Sequence, residues 1–119
     1  MNSINLVGRL TRDPETRSSS GGTNIAGMRL AIPRRPKNGE QQAPVYVDVT
    51  VFGKLAENCA EYLDKGRRIA VSGRLEYSEW TDQEGGKHSK HEVVADQIDF
   101  LDAPQNGTAE ADDGEAGSE

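Results

Sequence analysis

The sequence predicts an all-β fold: a small closed barrel of five strands, with one helix between the third and fourth. Three observations predict it. Short apolar stretches, several alternating with period two, are bounded by turn residues. Only one stretch repeats its apolar residues with helical period. A chain of 119 residues with 34% apolar content supports one small core.

The first strand is read over residues 4–10, INLVGRL. RSSSGGTN, 17–24, is a turn or loop, because Gly and Ser accept turn geometry cheaply. A second strand follows at 25–32, IAGMRLAI. PRRPKNGEQQAP, 33–44, contains three prolines and no apolar run, so any helix there would be broken repeatedly. The third strand, VYVDVTVF at 45–52, is the clearest: Val45, Val47, Val49 and Val51 share one face, and Tyr46, Asp48, Thr50 and Phe52 the other. KLAENCAEYLDKG, 54–66, carries a helical stripe of Leu55, Asn58, Cys59, Tyr62 and Leu63, with Gly66 as its stop. The fourth strand spans 68–80. Ile69, Val71, Leu75 and Tyr77 point one way, and Ala70, Ser72, Arg74, Glu76, Ser78 and Trp80 the other. HEVVADQIDFL, 91–101, is the last strand. Three strands, a helix and two strands is the order of the five-stranded OB barrel. An SH3-like small barrel is the alternative, and the full helical segment at that point argues against it.

Charge divides the chain. Residues 1–102 hold 14 bases against 15 acids, a net of −1, while 103–119 hold five acids and no base. We therefore expect a near-neutral domain over 1–102 and a disordered acidic tail over 103–119, which has too few apolar residues to order itself. No apolar run approaches the length of a membrane span, and MNSINLVGRLTRD lacks a signal-peptide pattern. The single Cys59 fits a reducing cytoplasm. Its place on the helical stripe suits a buried free thiol. An intersubunit disulfide across a two-fold axis is the other reading.

Catalytic and cofactor readings fail on spacing. Gly85-Gly86-Lys87-His88 departs from GxxxxGK[ST], which needs Gly where Thr81 stands and Ser or Thr where His88 stands. Cys59, His88 and His91 are too few and too poorly spaced for zinc. No enzyme activity and no cofactor are expected.

What remains is a surface. Tyr46 and Phe52 lie roughly 20 Å apart on the outer face of their strand. Arg74 and Trp80 lie on the outward face of the next. Arg34, Arg35, Lys37, Lys54, Lys87 and Lys90 surround them in sequence. Aromatics among flexible bases suit single-stranded nucleic acid, with π-faces for bases and charges for phosphates. A lone aromatic on a polar strand face is often packed under a loop or at an oligomer interface instead. Trp80, the chain's only Trp, has polar flanks that leave little local core, so its partner is expected to be a base.

INLVGRLTRDPETR, VTVFGKLAENCAEYLDKGRRIAVSGRL and EYSEWTDQEGGKHSKHEV, in that order, resemble the bacterial single-stranded DNA-binding proteins across residues 1–101. The resemblance implies a homotetramer of OB folds that wraps single-stranded DNA without sequence preference, in replication, recombination or repair. It maps stacking positions onto Tyr46, Phe52 and Trp80, and basic positions onto Lys54 and Lys65. The family's further aromatic falls in the proline loop, where Arg34, Arg35 and Lys37 stand and a guanidinium can substitute. Glu76 and Glu79 stand where some members carry bases, which weakens local attraction. Members that recruit replication and repair proteins end in an acidic tip closed by apolar residues. GEAGSE has charge without that anchor, which suits a specialised second copy. An OB module for RNA or for protein contacts is the alternative function.

Overall fold

The computed structural model describes residues 1–101. The expected tail, 103–119, lies outside the described residues. Six strands and one helix run in the order β1 (Ile4–Leu10), β2 (Glu15–Ser18), β3 (Asn24–Ile32), β4 (Val45–Phe52), α1 (Gly53–Tyr62), β5 (Arg68–Thr81) and β6 (Lys87–Phe100). Sheet order is β1-β5-β6-β4-β3-β2, and β1 also pairs with β3. Those pairings close a ring of five strands, β1-β5-β6-β4-β3, with β2 appended outside it. This is the OB barrel. The closing contacts are Arg9 beside Ala31 and Leu10 beside Leu30. β4 and β6 run parallel, and every other pair is antiparallel.

The core follows the alternation. Met28, Leu30, Val49, Val51, Ile69, Val71 and Val93 are almost wholly buried inside the ring. α1 covers the end of the barrel with Ala56 and Cys59 turned inward. Cys59 is free and fully buried, which favours the buried-thiol reading over the disulfide. Burial pushes its pKa from the ordinary 9.0 up to about 11. The folded thiol thus holds its proton longer than the unfolded one. The stability this carries is intact below about pH 9 and is lost as pH climbs through the window to about 11. Iodoacetamide at pH 8 should therefore modify the native protein far more slowly than the urea-unfolded one, and a non-reducing gel should show only monomer. Equal alkylation rates would place Cys59 outside the core.

Four local readings need correction. β2, ETRS, takes two residues from the expected 17–24 loop; it has no apolar residue to show periodicity and pairs through its backbone with β3. The helix ends at Tyr62 rather than 66. Leu63 leaves the helix in an extended conformation to bury its side chain, its N–H still bonded to the Cys59 carbonyl at 3.0 Å. Gly66 instead shapes the turn into β5, donating to the Leu10 carbonyl at 2.9 Å. Tyr62 is not on the buried stripe: it is exposed, with its ring 6.4 Å from that of Phe100. Finally, β5 and β6 run on past the barrel as a long hairpin arm, so β6 begins at Lys87 rather than His91.

The arm is aimed by an irregularity. Ser72 pairs with Gln97 but Gly73 pairs with Ala95, leaving Asp96 as an extra residue in β6. Gly73 is required there, because a Cβ would run into the Val94 carbonyl and come within 2.7 Å of Ala95 Cα. The bulge changes the parity of β6: the residues turned to the core are Val93 and Ala95 before it and Ile98 after it.

Candidate nucleic-acid interface

Alternation in β4 turns Val49 and Val51 inward and Tyr46, Asp48, Thr50 and Phe52 outward. Pairing with β3 continues each row: Tyr46 beside Ala31, Asp48 beside Arg29, Thr50 beside Gly27, Phe52 beside Ile25. β2 adds Glu15 beside Gly27 and Arg17 beside Ile25. Gly27 has no side chain, and its row forms part of a shallow groove of about 320 Å³ edged by Arg12, Arg17 and Lys90. Tyr46 and Phe52 stand half exposed on this face, at 51% and 45%. The Arg29 guanidinium lies 5.2 Å from the centre of the Tyr46 ring. Arg29 is in turn held by Asp48 at 3.2 Å, so a cation–π contact braces Tyr46 on the sheet.

The β5–β6 arm extends this face. Ser78 pairs with Lys90 and Trp80 with His88, which puts Trp80 on the same side as Arg74 and Glu76. Lys90 Nζ reaches back to Asp48 at 3.6 Å and lies 3.9 Å from Glu92. Glu92 accepts the Thr50 hydroxyl at 2.7 Å. These links join the Trp80 side of the arm to the Tyr46–Phe52 face as one surface. Trp80 is 48% exposed, but one of its faces is taken: the His88 ring stacks on it at 5.6 Å between centroids, 18° from parallel. The expectation that its partner would come only from outside the protein is therefore corrected for one side of the indole.

The bases are distributed unevenly. Lys54 is highly exposed and only loosely paired with Glu57, at 3.9 Å. Arg34 donates to Gln42 at 2.7 Å, and Gln42 donates to the Arg35 carbonyl at 2.9 Å. Lys37 and Glu40 bridge across Asn38-Gly39. The proline loop is thus a braced turn that presents Arg34, Arg35 and Lys37 to solvent. Arg74 is already bound to Glu76 at 2.6 Å. Lys65 sits exposed in the turn between α1 and β5, its backbone N–H on Asp13 at 2.8 Å. Lys87 pairs with Thr81 and so lies on the reverse side of the arm from Trp80. Glu79 is on that reverse side too, accepting the Tyr77 hydroxyl at 2.7 Å. Of the two acids expected to weaken attraction near Trp80, only Glu76 shares its face, and Arg74 neutralises it.

Three contributors escaped the sequence reading. Arg29 was legible, since it falls on the outer parity of β3 with Gly27. Arg17 depends on recognising β2. His88 depends on the register across the arm, which no apolar pattern marks.

Among the described residues, no helix is long and apolar enough to cross a membrane. Fold and face together define a binding module: an OB barrel offering an extended strand one continuous sheet surface, with aromatics along it. The profile of the single-strand binding protein family matches residues 1–101. The single-stranded DNA-binding protein of Wolinella succinogenes is 45% identical over 105 residues, covering 86% of this chain and 65% of that protein. Single-stranded DNA-binding protein 3 of Clostridium acetobutylicum is 39% identical over 103 residues, covering 86% and 72%. The single-stranded DNA-binding protein of Staphylococcus aureus is 41% identical over 114 residues, covering 94% and 72%. This chain belongs to the single-strand binding protein family. It spans 65% to 72% of the length of these three relatives. The family is one of binding proteins, and the chain is not an enzyme.

Proposed function

We propose that this chain binds single-stranded DNA without sequence preference and protects it during replication, recombination or repair. Bases stack on Tyr46, Phe52 and Trp80. Phosphates meet Arg34, Arg35, Lys37, Lys54 and Lys90, with Arg74 on the same face but paired with Glu76, Lys87 on the reverse side of the arm and Lys65 in the turn after α1. The observation that carries this reading is the single outer face on which three half-exposed aromatics stand, joined through Lys90 and Asp48. Stacking is blind to sequence because every base has a π-face. Titrating the intrinsic emission of Trp80 with dT and rU oligomers tests it. Saturable quenching by dT, tighter than by rU, is expected. An emission that ignores dT, or that prefers rU, overturns the reading. The lone buried thiol supports a reducing cytoplasm as the place of this activity.

Lys54→Ala should act through charge alone. It is expected to lower the slope of log affinity against log salt by about 0.7, the share of one phosphate that the lysine no longer neutralises. An unchanged slope, measured by titration between low and moderate salt, would remove Lys54 from the site.

The same reading makes the protein a homotetramer. Beyond the family's resemblance, Leu75 and Tyr77 stand exposed on the reverse side of the arm, away from the stacking face, and Val7 is exposed on β1. Light scattering at micromolar concentration should give four times the chain mass of 12.9 kDa. A monomeric mass would end this part of the proposal.

A further inference from the structure

The tip of the arm is built around one carboxylate. Asp82 Oδ1 accepts the N–H of Glu84 at 3.0 Å and of Gly86 at 2.7 Å. Its backbone closes the turn as well: its N–H donates to the Gly86 carbonyl at 2.9 Å, and its carbonyl accepts from Gly85 at 3.1 Å. A Cβ at Gly86 would lie 2.9 Å from Asp82 Oδ2, so glycine leaves room for the carboxylate. The remaining oxygen, Oδ2, is bonded to His88 Nε2 at 2.7 Å. The His88 bond, then the Gly86 N–H, hold the Asp82 carboxyl below the usual carboxylate range.

His88 has a second neighbour. Its ring lies on Trp80, nearly parallel. The turn therefore fixes Asp82, Asp82 fixes the plane of His88, and His88 lies flat against one face of the indole. An exposed Trp on an all-polar strip would otherwise sample several rotamers, and immobilising it would oppose binding. With one face backed, the indole offers its other face as a formed platform.

We propose that His88 is the positioning residue for Trp80, held by Asp82 so that the indole is presented to an incoming base before the strand arrives. This rests on the reading that Trp80 stacks on bases. His88 touches the indole and not the barrel core, so its loss changes the presentation of Trp80 rather than the fold.

The test uses the full chain at fixed salt, with dT oligomer affinity measured for His88→Ala, Trp80→Ala, the double variant and His88→Phe. His88→Ala is expected to weaken binding about two- to tenfold, the range of an aromatic pair. Trp80→Ala is expected to weaken it about fivefold or more. The double variant should bind no more weakly than Trp80→Ala alone, and the salt slope should be the same in wild type and His88→Ala. His88→Phe keeps a flat ring and should restore most of the affinity. Time-resolved anisotropy of Trp80 should show a larger fast component in His88→Ala than in wild type. If His88→Ala weakens binding by the same factor in the Trp80→Ala background, His88 meets DNA directly and the positioning role is wrong. If His88→Ala binds like wild type while Trp80→Ala is weak, Trp80 needs no positioning. If Trp80→Ala itself binds normally, the stacking reading beneath the proposal fails.

Discussion

Trp80→Ala is expected to weaken binding of single-stranded DNA by about 1–3 kcal/mol, and by the same amount on dT and mixed-sequence oligomers. The uniformity follows from the interaction: an indole stacks on any base, so its loss removes a sequence-independent contribution. Folding stability should hardly change. Trp80 projects from the arm beyond the ring of strands, half exposed, and its ring contact is His88 rather than the buried cluster inside the barrel. Titration of the variant needs an external probe, such as a labelled oligomer, because the chain has no other Trp. Urea unfolding of the same variant supplies the control. If Trp80→Ala unfolds the domain while wild-type emission ignores DNA, Trp80 is structural and the face has been misassigned. Tyr46 offers a comparison on the same surface. Its ring is smaller and already bears the Arg29 guanidinium, and Tyr46→Ala removes that ring contact while the Asp48 ion pair still holds Arg29.

Legibility in the sequence tracked burial. VYVDVTVF showed both its faces, because a strand packed on one side must alternate, and the structure buries Val49 and Val51 and leaves Tyr46 and Phe52 outside. The order of the five barrel strands along the chain and the place of the helix were legible for the same reason: apolar runs separated by proline and glycine breaks. The arm was not. Residues 76–92 are polar on both sides, so backbone pairing and one turn set their geometry, and neither leaves an apolar signature. The turn at 82–86 decides that Trp80 meets His88, that Lys90 shares its face and that Lys87 does not. One residue more or less in that turn would exchange the two lysines. β2 was hidden likewise, since ETRS has no side chain in the core. Asp96 shows a further limit: a bulge shifts parity within a strand, and only the partner strand reveals it.

Leu30→Ala is expected to destabilise the domain by about 2–5 kcal/mol, a larger effect on folding than any substitution on the outer face should have. Leu30 is fully buried where the barrel closes: it pairs with Leu10 across the β1–β3 seam and with Val47 on the other side. Removing its side chain loses the transfer free energy of the buried carbons and leaves a cavity. The seam can collapse only partly, because hydrogen-bonded strands hold it on both edges. A domain of this size has about 5–15 kcal/mol of stability in all, so the loss is a large fraction of the total and the variant should melt well below wild type. Urea unfolding must be compared at one protein concentration, since subunit association would add to the apparent stability. Below the melting range, DNA affinity should stay close to wild type, because β3 turns Leu30 inward and Arg29 and Ala31 outward toward the aromatic row. That pairing of outcomes separates fold from site. A loss under about 1 kcal/mol would mean the seam is not closed around Leu30 as described. A large loss of affinity in the folded variant would mean the outer face is coupled to the core more tightly than the alternation of β3 implies.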